Sequence, residues 1–184
     1  MEEIRKNILL IAGTGRNVGK TLLACKIIAH LKQSYPIISI KISPHFHELK
    51  TEIQILRQNN NFQIAEEKDI NGNKDSNRLL SAGSEKVFYV QTKDDYLSDV
   101  LHYFDSILPK NNAIIIESGG LREIIQPGLF LVVNKKNNKN IKPRAFRYEQ
   151  IADKCIEFDG KEFNTTYQNI SFKNQEWVIT KQTT

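Results

Sequence analysis

Ala12-Gly13-Thr14-Gly15-Arg16-Asn17-Val18-Gly19-Lys20-Thr21 follows directly on the apolar run Asn7 to Ile11. The order reads as strand, glycine-rich loop, helix. Such a loop turns successive backbone N–H groups inward and makes an anion-binding nest. A helix starting near Gly19 adds the positive end of its dipole, so a phosphate is favoured twice over. On this reading Lys20 reaches the β- and γ-phosphates and the Thr21 hydroxyl ligates Mg²⁺. The spacing is longer than the standard phosphate loop. The position that normally carries the first glycine is Thr14, the available glycine is Gly13, and Gly15 lies inside the loop. The alternative is an ordinary glycine-rich turn between strand and helix.

Outward from this loop the chain reads as an α/β protein with a mainly parallel sheet flanked by helices. Leu23, Ala24, Ile27, Ile28 and Leu31 form one apolar stripe on a helix from about Gly19 to Gln33. Ile37 to Ile42 is rich in β-branched residues and reads as the second strand. Strand, helix and strand then make a right-handed βαβ unit. Val87 to Gln91, Ala113 to Ile116 and Leu129 to Val133 are three further apolar strands, and Asp94 to Leu108 is an amphipathic helix ended by Pro109. Ser43 to Asp75 is polar, with a helix expected over Glu48 to Arg57, a break at Asn59 to Asn61 and a loop from Asp69. Ser76 to Ala82 reads as a short helix capped by Asp75 or Ser76 and stopped by Gly83. Asn134 to Tyr148 holds six basic residues and no acid, and is expected as a loop, either solvated or closing over an anionic ligand. The tail alternates in the pattern of a β-hairpin turning near Lys173-Asn174.

The 184 residues suit one domain, 1–184, with a core over 7–134, the basic loop 134–148 and the hairpin 160–181. No apolar run nears the ~20 residues of a membrane span. The charged start of the chain carries no apparent signal peptide, so cytoplasm is the expected compartment. Cys25 and Cys155 are far apart without metal-ligand spacing, and Cys25 is expected as a buried free thiol on the first helix. The net charge of +5 permits nucleic-acid contact. A site for a polyanionic nucleotide explains it equally well, and with no RNA- or DNA-binding signature nucleic acid is not expected as a partner.

In an open parallel sheet, ligands sit beyond the carboxyl ends of the strands. The second strand delivers Lys41, Ser43, His45 and His47 to that end, the fourth delivers Glu117 to Gly120, and the fifth delivers Asn134 and Lys135. Glu117 follows three isoleucines, the position where a nucleotide site places an acid for Mg²⁺ or its water. Lys41, charged on an otherwise apolar strand, needs a partner: either a bound phosphate or a salt bridge. His45 and His47 share a face of an extended segment but lack a third zinc ligand nearby. Asn134-Lys135-Lys136-Asn137 is similar to the Asn-Lys-X-Asp element that reads guanine, but Asn137 stands in place of the acid, so the base is left open between guanine and adenine.

With these residues in hand, the chain resembles the dimeric phosphate-loop class that includes dethiobiotin synthetase, MinD-like ATPases and the molybdopterin-guanine dinucleotide biosynthesis protein MobB. The loop from Gly13 to Thr21 and Glu117-Ser118-Gly119-Gly120 are similar to dethiobiotin synthetase. Lys41 near its histidines and Lys74-Asp75-Ser76-Asn77-Arg78 followed by Ala82-Gly83 resemble MobB. The resemblance implies a homodimer that binds GTP or ATP with Mg²⁺, hydrolyses it slowly, and assists a cofactor-biosynthesis enzyme. Gly13, Thr14, Gly15, Arg16, Asn17, Val18, Gly19, Lys20, Thr21 and Asn134 would hold the nucleotide. Thr21 and Glu117 would hold the metal, and Lys20, Lys41 and Glu117 would serve catalysis. Two other readings stay open: an ATP-dependent ligase or carboxylase, and a non-catalytic nucleotide switch.

Overall fold

Ile8, Leu10 and Ala12 bury into one hydrophobic core while Leu9 and Ile11 bury into another, so the strand that carries them is covered on both faces. Side chains alternate across a strand, and a run that is apolar throughout can only lie between two layers. This strand, β1 (Glu3–Gly13), sits well inside an eight-stranded sheet. The structure, a computed structural model, describes residues 3–49, 53–136 and 143–180.

The other strands are β2 (Ile37–Ser43), β3 (Gln54–Gln58), β4 (Phe62–Glu66), β5 (Lys86–Thr92), β6 (Ala113–Glu117), β7 (Ile125–Lys135) and β8 (Lys154–Phe158). Their order in space is β3-β4-β5-β2-β6-β1-β7-β8. From β5 to β8 every neighbouring pair is parallel, whereas β3 and β4 join the edge beside β5 antiparallel. Helices α1 (Lys20–Leu31) and α2 (Asp75–Ala82) cover one face of the sheet. The hairpin of β9 (Ile170–Lys173) and β10 (Glu176–Ile179) covers the same face. Trp177 of that hairpin is 2% exposed and its indole N–H donates to the Asn7 carbonyl at 2.9 Å. Helices α3 (Leu97–Ile107) and α4 (Pro143–Ile151) cover the opposite face. The architecture is thus α/β, a mostly parallel sheet between helical layers with an antiparallel C-terminal hairpin.

The stripe on α1 is buried as expected: Leu23, Ala24, Ile27, Ile28 and Leu31 all face the sheet. Each large member contributes roughly 1.5–3 kcal/mol of burial. Helix α3 begins later than the expected Asp94, because Asp94–Tyr96 form a single 3-10 turn before it. It ends at Ile107, and Leu108 is extended (φ −99°, ψ 137°), the conformation imposed on a residue before proline. Gly83 stops α2 at φ 114°.

Two expectations are corrected, and one strand is added. The helix expected over Glu48 to Arg57 is not there: residues 54–58 form β3, and residues 50–52 lie outside the described residues. Asn59 turns the chain between β3 and β4, its side-chain oxygen accepting from the Asn61 and Phe62 N–H groups. Phe62 and Ile64 then bury alternately, which is strand periodicity. The basic segment is not a loop along its length, since β7 continues to Lys135 and helix α4 starts at Pro143. Residues 137–142, with Lys139 and Lys142, lie outside the described residues. Finally, β8 adds an edge strand beside β7 that apolar pattern does not announce, since Ile156 is its only buried residue.

Among the described residues no helix is long and apolar enough to cross a membrane.

Candidate functional site

The loop after β1 begins as continued sheet: the Thr14 N–H donates to the Val133 carbonyl at 3.1 Å. It then turns through two left-handed residues, Asn17 (φ 55°) and Gly19 (φ 100°). Asparagine tolerates that region better than other side chains, and glycine enters it freely. Gly13 and Gly15 do not have positive φ; Gly13 is small for another reason. A Cβ there would meet Lys20 Cδ and Val18 Cγ2, each at 2.8 Å. The stem of Lys20 therefore lies directly across the last residue of β1, and its ammonium donates to the Gly15 carbonyl at 2.9 Å. Thr14 is fully buried, and its hydroxyl has no hydrogen-bond partner among the described residues. A buried hydroxyl left in this condition calls for a polar ligand or a water.

Thr21 opens α1 and turns its hydroxyl toward Glu117 at the carboxyl end of β6. It donates to the Glu117 carboxylate at 2.8 Å from Oε1 and 3.0 Å from Oε2. Glu117 is 2% exposed. The structure brings this pair together although 96 positions separate them, because β6 lies beside β1 with Ile11 opposite Glu117. Lys41, on β2 at the other side of β6, is opposite Glu117 in register and forms an ion pair with its Oε2. Its second partner is Asp75 Oδ2, 2.9 Å away at the start of α2. Of the two expected partners for Lys41, the structure contains the salt bridge. Burial opposes the Lys41 charge, but Glu117 and Asp75 outweigh it and hold its pKa above the ordinary lysine value. For Asp75 burial works upward, yet Lys41 and then the Thr21 hydroxyl and Arg78 hold the carboxyl below its usual range.

Asp75 is the site residue that sequence reasoning treated only as a helix cap. Its signal was present in Lys74-Asp75-Ser76-Asn77-Arg78, but cap and ion-pair roles look alike in sequence. Its placement is fixed behind it: the buried Glu67 accepts from the Ser76 hydroxyl at 2.7 Å and from the Lys68 and Asp69 N–H groups. A cavity of about 420 Å³ opens on the far side of Lys41, with Ser43, His47, Glu67, Asp75 and Tyr89 in its wall.

The remaining expected residues are close but differently engaged. Arg16 reaches from the loop after β1 to His45, with Nη2 and Nε2 2.6 Å apart. His47 bonds to Gln91 through its backbone, and its ring lies 5.7 Å from the Tyr89 ring, so the two histidines do not converge on one point. No group of three or more His, Cys, Asp or Glu able to hold a metal occurs among the described residues. Asn134 stands at the end of β7, donates to Glu149 at 3.2 Å, and leaves its buried Oδ1 without a partner among the described residues. In Glu117 to Gly120, Gly119 has open space around it, whereas a Cβ on Gly120 would lie 2.5 Å from Asp94 Oδ1. Arg144 bonds that same Asp94 and the Gly119 carbonyl, and Arg147 pairs with Glu123. These two arginines of the basic segment thus tie α4 to the turn after β6 instead of hanging over the loop.

Cys25, one helical turn past Thr21, is half-buried, and burial pushes its thiol up to about 11. At pH 8 its alkylation by iodoacetamide is expected to be on the order of 100-fold slower than in the urea-unfolded chain, following the thiolate fraction. Equal rates would show that the thiol is not desolvated.

Comparison with family models, curated proteins and solved structures finds no match for this chain.

Proposed function

We propose that this chain is a phosphate-loop protein that binds a nucleoside triphosphate, GTP or ATP, with Mg²⁺, hydrolyses it slowly, and acts in the manner of the accessory protein MobB as a homodimer beside a cofactor-biosynthesis enzyme. The observation that carries the reading is the meeting of Thr21 and Glu117 at the mouth of the loop, 2.8 Å apart. A threonine hydroxyl after Gly-Lys and a strand-end carboxylate are the two groups such a site uses for its metal. The orphaned Thr14 hydroxyl inside the loop adds a polar atom that a phosphate oxygen would satisfy.

The donor set fits Mg²⁺: Thr21, Glu117 and Asp75 offer a hydroxyl and two carboxylates, and this ion takes oxygen ligands. When bound, the ion neutralises charge on the phosphates. The loop amides from Gly15 to Thr21 bind and orient the triphosphate tail, with the α1 dipole behind them. Lys20 leaves the Gly15 carbonyl to follow the terminal phosphates. Lys41 stands on the far side of Glu117 from Thr21, at the wall of the cavity, where its charge would serve catalysis.

The cavity beside Lys41 favours a second reading, an ATP-dependent ligase or carboxylase, because it supplies room for a second substrate next to the same ammonium. Nucleotide turnover that rises with a candidate acceptor would select it.

Calorimetric titration of Mg²⁺–GTP and Mg²⁺–ATP into the wild type and Lys20→Ala tests the proposal. Losing a charge-assisted phosphate contact is expected to weaken binding by about 10- to 100-fold. Equal affinity in the two proteins would remove the phosphate-loop role of Lys20.

A further inference from the structure

We propose that the Lys41 ammonium holds the place of the divalent cation, and that cation binding exchanges it out of the Glu117–Asp75 pair and into the adjoining cavity. The inference rests on the proposed Mg²⁺–nucleotide reading of this site and extends it to an order of events.

The geometry points there in three ways. First, the ammonium already sits among the oxygens a cation would use. It contacts Glu117 Oε2 and lies 2.9 Å from Asp75 Oδ2, while Thr21 donates to both oxygens of Glu117. A divalent ion ligated by Thr21 and Glu117 would share Oε2 with Nζ, and two cations at that separation repel strongly in a buried setting. Second, one charge can stand in for another. One ammonium bridges two carboxylates, and Arg78 pairs with the other Asp75 oxygen at 3.6 Å. A divalent ion balances the two carboxylates by itself and releases the lysine. Third, there is somewhere for the side chain to go. Lys41 lines the cavity of about 420 Å³, whose wall next to it carries the Ser43 and Tyr89 hydroxyls. The Glu67 carboxylate in the same wall accepts from two N–H groups and the Ser76 hydroxyl, and its negative charge favours an ammonium entering the cavity.

The exchange makes Lys41 a cation-gated group. Before loading it stabilises the buried carboxylate. After loading it presents a positive charge to the cavity, whose wall also carries Lys74, where it can receive an anionic group of a second substrate.

The test uses the full chain, Mn²⁺ alone and no nucleotide. Brief acetylation with acetic anhydride, read by mass spectrometry, is expected to modify Lys41 at least about tenfold faster when Mn²⁺ is present, with the exposed Lys86 unchanged. Lys41→Gln, which removes the competing charge, is expected to bind Mn²⁺ about tenfold or more tightly than wild type by loss of the free-ion electron paramagnetic resonance signal. Mn²⁺ that binds while Lys41 stays protected, or Mn²⁺ that binds neither protein at millimolar concentration, overturns the exchange. Nucleotide titration separates the two ideas. Binding of Mg²⁺–nucleotide with Lys41 still protected removes the exchange alone, and exposure of Lys41 by Mn²⁺ in a protein that binds no nucleotide removes the nucleotide reading alone.

Discussion

Lys41→Met is expected to lower the unfolding free energy by about 3–5 kcal/mol, the cost of leaving one member of a buried ion pair without its partner. Glu117 is 2% exposed, and without Lys41 the Thr21 hydroxyl is its remaining hydrogen-bond partner among the described residues. Asp75 is different: its side chain is 45% exposed, so water takes over its charge and its loss is small. Urea denaturation measures the difference. The double variant Lys41→Met/Glu117→Gln should recover most of it, because no buried charge is then stranded. A loss below about 1 kcal/mol in the single variant would mean that water reaches Glu117.

The same ion cluster fixes the pH behaviour. Asp75 has its folded pKa lowered from the ordinary 3.8, so it stabilises the fold above that value and the contribution fades as pH falls through the lower folded pKa. Lys41 has its folded pKa raised from the ordinary 10.5, so its contribution is complete below that value and fades only as pH rises through the higher folded pKa. Between pH 5 and pH 9 the cluster is expected to contribute a constant amount, with losses at both extremes. Urea midpoints measured across pH would show this plateau for wild type, and a slope across neutral pH that Lys41→Met abolishes would contradict it.

Gly128→Ala is the second large effect, and it has nothing to do with ligands. Between Arg5 opposite Pro127 and Leu9 opposite Leu129, the β1–β7 register slips, so Lys6, Asn7 and Ile8 are matched by Gly128 alone. The chain of β1 bulges into the space where a side chain of β7 would stand. A Cβ on Gly128 would lie 2.1 Å from the Lys6 carbonyl oxygen and 2.7 Å from its carbon. These are backbone atoms in the middle of the sheet, and they cannot rotate away. The expected cost is about 3 kcal/mol or more, seen as a fall in thermal midpoint, since displacing a strand disrupts packing on both faces. A stability change within 0.5 kcal/mol, the range of ordinary surface substitutions, would show that the bulge relaxes freely.

How much of this was legible in the sequence depends on where each element sits. Ile8 to Ile11 and Ala113 to Ile116 are apolar on every residue, and Ile37 to Ile42 on all but Ser39 and Lys41, because both of their faces are covered, and such runs announce themselves. The edges are quieter. Four of the five β3 residues are exposed and polarity masks the strand, while β8 buries only Ile156. Helix α4 was hidden for an electrostatic reason. Arg144 and Arg147 read as free positive charge until the fold brings Asp94 and Glu123 to them from 50 and 24 positions away. At the site, the glycine-rich loop after β1, Glu117 and Lys41 each carried a signal because each is a polar group where strand pattern demands an apolar one or ends. The signal at Asp75 was ambiguous, since an acid at the start of a helix already has a local explanation as a cap. The pairing of Lys41 with carboxylates was visible only as one of two options, because the sequence does not say how far β2 stands from β6.

The amides of the loop after β1 are the groups proposed to hold the phosphates. Backbone ¹⁵N–¹H spectra recorded during a titration with Mg²⁺–GTP, and again with Mg²⁺–ATP, test it most directly. The largest shifts are expected at Gly15 through Thr21, saturating with the calorimetric affinity. A nucleotide that leaves those amides unmoved, or that shifts only residues elsewhere on the sheet, would contradict the phosphate-binding role of the loop.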